Sequence, residues 1–148
     1  MHIRKMLPKD YDCVYNLWLK IPGMGLNTTD DSREGIIKYL KRNPNTCFVA
    51  ETDNEIIGVI MSGHDGRRGL IHHTAVTLSE RGKGIGSSLV KYALNALKEE
   101  GINKVALVTF SNNEIGNAFW EKCGFTARND LIYRNKNINN LIQIKPFS

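Results

Sequence analysis

Apolar positions along this chain change period several times, and the changes mark the elements. "IRKML" (3–7) alternates weakly and predicts a short first strand. In "DYDCVYNLWLK" (10–20), Val14, Leu17, Trp18 and Ile21 fall at helical spacing, with Pro8 placed to open the helix. "PGMGLN" (22–27) predicts a loop. Asp31 and Glu34 have the spacing of a capping box and predict a second helix to about Leu40, with Ile36, Ile37 and Leu40 inward. Pro44 marks its end. Three strands follow: 46–52, 56–65 after a "DNE" turn, and 70–78 after "GRRG". A long helix comes next, with Ile85, Leu89, Ala93 and Leu97 in one stripe, joined by Val90 and Leu94, and Gly101 as its stop. "KVALVTF" (104–110) predicts a buried strand. A fourth helix from about Asn113 to Cys123 stops at Gly124, and 125–135 predicts two last strands. The tail from Lys136 either adds a strand or stays free. The order predicts an α/β chain forming one domain over 1–148, without a repeat or linker.

One stretch breaks the helical rule. "RGKGIG" (81–86) opens the long helix with three glycines and two cations. Glycine is a poor helix former. It does leave the unpaired N–H groups of a helix start open to a ligand. Arg81 and Lys83 add charge to the positive end of the helix dipole. Together these features predict an anion site, most naturally for phosphate or pyrophosphate, against the plainer reading of a tight strand-to-helix turn. No Walker A pattern is present, and the dinucleotide pattern GxGxxG fails because Leu89 stands at its third glycine position.

Composition narrows the function classes. The chain has 148 residues and a formal net charge of +5. The cations are spread along the sequence with no nucleic-acid-binding motif, so the excess suits a small polyanionic ligand or simply a solvated, slightly basic surface. No apolar run is long enough to span a membrane, and "MHIRKMLPKDYD" lacks an apolar signal core, so the cytoplasm is the expected location. Cys13, Cys47 and Cys123 lack CxxC spacing, which predicts neither a metal site nor a disulfide framework.

"AVTLSERGKGIGSSLVKYAL" resembles motif A of the GNAT superfamily, the acyl-CoA-dependent N-acetyltransferases. Arg81, Gly84 and Gly86 match its [R/Q]xxGx[G/A]. "NNEIGNAFWEKCGF" (112–125) resembles motif B, N…A..LYEKLGF. "GHDGRRG" beside motif A is similar to a subset of small microbial members. The resemblance spans nearly the whole chain. It implies a three-layer GNAT fold with a mixed sheet splayed between the fourth and fifth strands and about four helices. It also implies acetyl-CoA as cosubstrate, no metal, and an amine acceptor. The backbone from Arg81 through Gly82, Lys83, Gly84, Ile85 and Gly86 to Ser87 would hold the pyrophosphate. Backbone groups of Val76 and Leu78 would pair with the pantetheine arm, and the Val76 N–H would polarise the thioester carbonyl. Asn113 would bond the arm or cap the fourth helix.

The sequence departs from the family where the acid and the base are expected. The motif-B tyrosine position holds Trp120, whose indole does not ionise in this range; it walls the thioester pocket or simply packs. The position of a fifth-strand base holds Val108. The remaining base candidates are His73 and His72, adjacent and thus on opposite faces of a regular strand, with His73 favoured. Cys123 reads as core. Asp30 and Asp31 lie where an acceptor amine would arrive, but capping is the stronger role for Asp31. The expected activity is acetyl transfer from acetyl-CoA to a primary amine of a small molecule or protein by direct attack. The alternative is a non-catalytic acyl-CoA sensor. A monomer or a homodimer suits either, with no nucleic acid or membrane partner.

Overall fold

A computed structural model describes residues 1–144, so the tail prediction can be followed only that far. The strands are β1 (His2–Lys5), β2 (Leu26–Asn27), β3 (Phe48–Thr52), β4 (Glu55–His64), β5 (Gly69–Val76), β6 (Val105–Ala106) and β7 (Gln143–Ile144). The helices are α1 (Tyr11–Leu19), α2 (Arg33–Arg42), α3 (Ile85–Glu99) and α4 (Glu114–Lys122). Five strands form a sheet in the order β1-β3-β4-β5-β6. Neighbours are antiparallel except β5 and β6, which run parallel and are joined through α3. The β3–β4 turn uses Asp53 and Asn54, both at positive φ, as a tight two-residue hairpin turn requires. No described helix is long and apolar enough to cross a membrane.

The two sheet faces carry separate apolar clusters. On one, α1 and α2 set Val14, Leu17, Trp18, Ile36 and Leu40 against Val49, Val59, Met61 and Ala75. On the other, α3 sets Ile85, Leu89, Val90 and Ala93 against Ala50, Ile57, Ile60 and Ile71. The helical stripes read from the sequence are therefore the buried faces. Gly58 lets α3 lie close on β4: a Cβ there would come within 3.0 Å of Leu89 and 3.2 Å of Ile85. That close approach sets the start of α3 beside the end of β5.

Three sequence expectations need correction, and one left open is decided. The capping box fails, because Ser32 rather than Asp31 caps α2, its side chain accepting from the Gly35 N–H at 3.0 Å. The strand expected at 104–110 pairs only at Val105 and Ala106, and then leaves its neighbour. No strand forms over 125–135, where Leu131, Ile132 and Tyr133 are all exposed. The tail does add a strand, but to the loop before α2 rather than to the main sheet: β7 pairs with β2, and Thr28 N–H donates to Ile142 O at 2.9 Å.

Candidate functional site

The site is built where β5 and β6 part. They pair only at Gly69–Val105 and Leu70–Ala106. Beyond this the chain of β6 runs free, with Val108 and Phe110 exposed. Thr77 N–H donates back to Ile57 O at 2.8 Å. Backbone polar groups alternate along an extended strand, so the N–H and C=O of Val76 point the other way, into the gap. A ligand with amide groups can pair with that edge as an added strand.

At the open end of the gap, Gly82 and Gly84 both take φ of +80°, which an L side chain rarely adopts, and nothing lies within 4 Å of where a Cβ would sit on either. Gly84 is the N-cap of α3 and supplies no side-chain cap. The first helical bond is Ser88 N–H to Gly84 O, so the N–H groups of Ile85, Gly86 and Ser87 have no intrahelical acceptor. This is bare backbone aimed at solvent under a helix dipole.

The remaining motif residues have more specific roles than their glycine or cation character suggests. Gly86 serves packing: a Cβ there would be 3.1 Å from the Phe119 ring and 3.7 Å from Val76 Cγ2, so α4 can close over the start of α3. Lys83 is paired with Glu80 at 2.7 Å, which offsets its charge. Arg81 is exposed and makes no ion pair among the described residues, leaving it the freer cation of the two. Leu78 sits exposed in the turn between β5 and α3. Asn113 is the N-cap of α4, accepting from Gly116 N–H at 2.9 Å. Trp120 is half-buried, edge-on to both Phe119 and Phe125. Cys123 packs against the α3 cluster without being fully buried, and burial pushes its thiol up while the Ser87 hydroxyl bond opposes the shift.

The two histidines do not sit as a regular strand would place them. Val59 faces Ala75 and Met61 faces His72, so His73 and Thr74 together oppose the single residue Ile60. This is a β-bulge, and His73 takes φ of +41° within it. The bulge turns both rings toward α1 and α2, with centroids 6.3 Å apart, instead of toward opposite faces. The His72 ring stands edge-on to Tyr39 of α2 at 5.9 Å. The His73 ring stands edge-on to Trp18 of α1 at 5.0 Å, and Trp18 Nε1–H donates to His73 O at 3.1 Å.

Sequence reasoning missed the partner of His73. Asp31, relieved of capping by Ser32, is buried and places Oδ1 2.8 Å from His73 Nε2. Its other oxygen accepts from Asn27 N–H at 2.7 Å. Asp30 stays exposed and accepts from Asn27 Nδ2. The loop that carries them comes close to the segment after β6, where a Cβ on Gly23 would be 3.8 Å from the Phe110 ring. Nothing local in the sequence signals a pair 42 positions apart.

His72 makes a testable pH prediction. Neighbouring groups crowd water from its ring and, with the adjacent His73, lower its pKa, while Asp31 opposes the shift. The unfolded chain then takes up a proton near pH 6.5 that the folded protein resists. Stability should therefore fall as pH drops below about 6.5. In urea titrations at pH 7.5 and 5.5, His72→Gln should lose less stability than the wild type. An equal loss would show that His72 carries none of this dependence.

A mixed sheet splayed between two parallel strands, with a glycine-opened helix at the mouth, is the GNAT fold. The sequence model of the Acetyltransferase (GNAT) family matches residues 11–125, and this chain belongs to that family, whose members move an acyl group from acyl-CoA. The acetyltransferase ECA0875 of Pectobacterium atrosepticum is 30% identical over 82% of this chain and 85% of its own. Ard1 from Thermoplasma volcanium superposes with a TM-score of 0.71 at 23% identity, over 84% of this chain and 82% of that one. A predicted acetyltransferase from Clostridium acetobutylicum, solved with acetyl-CoA, superposes with a TM-score of 0.67 at 22% identity, over 90% and 95%.

Proposed function

We propose that this protein transfers an acetyl group from acetyl-CoA to a primary amine of a small molecule or protein, in the cytoplasm. The observation that carries this reading is the open helix start at Gly84, set at the end of the free β5 edge in a member of the acetyltransferase family. The acetyl-CoA bound to the similar fold from Clostridium acetobutylicum supports acetyl as the donor group. The backbone of 81–87 takes the pyrophosphate, with Arg81 adding charge. The backbones of Val76 and Leu78 take the pantetheine arm, and the Val76 N–H polarises the thioester carbonyl. Trp120 walls the thioester pocket. Asn113 bonds the arm or serves as the α4 cap alone. His73 is the base, with His72 beside it. Holding amine and thioester together supplies much of the rate.

The test has two readings. Acetyl-CoA at 100-fold over its Kd adds about 2.7 kcal/mol of stability, which raises the melting temperature by roughly 5–10 °C for a domain of this size. Free thiol release is then followed across a panel of amines. No thermal shift with millimolar acetyl-CoA would overturn the cosubstrate assignment. A shift without turnover on any amine would favour an acyl-CoA sensor.

A further inference from the structure

We propose that Asp31 is a positioning residue for His73: it fixes the imidazole with its proton on Nε2 and leaves Nδ1 as the atom that takes the proton from the acceptor amine. This rests on the reading above, in which His73 is the base.

The argument begins with what each group can do. A carboxylate only accepts hydrogen bonds. At 2.8 Å from Asp31 Oδ1, His73 Nε2 must therefore donate. A neutral imidazole that donates from Nε2 has its lone pair on Nδ1. Asp31 is well suited to hold a ring still. It is 4% exposed, its second oxygen is tied to Asn27 N–H at 2.7 Å, and its backbone carbonyl accepts from the Tyr11 hydroxyl at 2.6 Å. The histidine is fixed from its other side by Trp18, which packs on the ring and bonds the bulged backbone. Only about a fifth of the His73 side chain meets solvent.

Burying a carboxylate is costly unless its bonds are satisfied. Since Ser32 performs the capping, the burial of Asp31 has no role in starting α2. The groups that face His73 are few. His72 lies beside it on β5, Tyr39 of α2 reaches His72, Trp18 of α1 carries no charge, and Asp30 faces Asn27. Among the described residues Asp31 is the one side chain hydrogen-bonded to the ring.

The step balances as follows. The amine lone pair forms the C–N bond at the thioester carbon. The C–S bond breaks, and its electron pair leaves on the CoA sulfur. The amine proton passes to Nδ1, where Asp31 faces the resulting imidazolium. The same proton then passes to the thiolate, and the histidine returns to its neutral form.

The test reads the tautomer and the kinetics separately. The ¹⁵N shifts of His73 in the resting full-length wild type should show Nε2 protonated and Nδ1 bare. Asp31→Asn keeps an acceptor for Asn27 N–H but lets an amide N–H face the ring, so that tautomer should be lost. Turnover should fall at least ~10-fold, part of the 10²–10⁴ a general base contributes, with KM for acetyl-CoA within about twofold of wild type. Nδ1 protonated in the resting wild type, or Asp31→Asn turning over at the wild-type rate, would overturn the proposal. Should Asp31→Asn not fold, the wild-type tautomer decides it. Absence of any turnover by the wild type overturns the transferase reading instead, and the two failures are told apart because the tautomer is read without substrate.

Discussion

Gly84→Asp is expected to abolish acetyl-CoA binding and leave the fold in place. Gly84 stands at φ of +80° with open space where a side chain would project. A left-handed L-residue costs roughly 1–2 kcal/mol, and aspartate is among the residues that tolerate this region best. As the residue capping α3, its carboxylate also meets the positive end of the helix dipole, which returns about 0.3–1 kcal/mol. Stability should therefore fall by less than about 2 kcal/mol. The same carboxylate stands where the pyrophosphate is proposed to bind. Like charge and bulk together should weaken acetyl-CoA at least ~100-fold, about 2.7 kcal/mol in binding. Calorimetry measures the affinity, and the circular dichroism spectrum and melting curve check the fold. A variant that binds acetyl-CoA like the wild type would show that the phosphates are held elsewhere.

His73→Asn should slow turnover by about 10²-fold or more while acetyl-CoA still binds. Asparagine is the useful replacement because it tolerates the positive φ of the bulge, so the imidazole is lost without the backbone. The carbonyl that accepts from Trp18 belongs to the main chain and stays. Thermal shift with acetyl-CoA separates lost chemistry from lost binding. The pKa of His72 is lowered by burial and by the adjacent His73. If His73→Asn keeps its rate and an acid limb persists with a midpoint below about 6.5, the base is His72. If the limb follows the pKa of the acceptor amine in both variants, the titration is the amine's own, and positioning carries the rate.

The sequence by itself determined the elements whose signals are local. The buried stripes of α1 and α3 follow from side chains that recur at the helical period. The β3–β4–β5 meander follows from short apolar runs separated by turn residues. The open helix start follows from glycines at the two positions that take positive φ, and the motif resemblance gave the family for the same reason. Each of these depends on residues within a few positions of one another.

The tertiary structure decided everything that joins distant parts. Asp31 has the spacing of a cap, yet Ser32, one residue on, reaches the helix N–H first, and Asp31 is released to meet a histidine on another strand. His72 and His73 alternate in sequence, but the bulge opposite Ile60 adds a residue and turns both toward α1 and α2. Lys83 reads as a free cation until Glu80 pairs with it. Gly86 reads as a ligand-facing glycine until the Phe119 ring takes up its free side. "KVALVTF" has the composition of a buried strand throughout, but the ladder stops after Ala106. A strand needs a partner to be a strand, and partners are assigned by packing across the whole chain rather than by the residues of the segment itself.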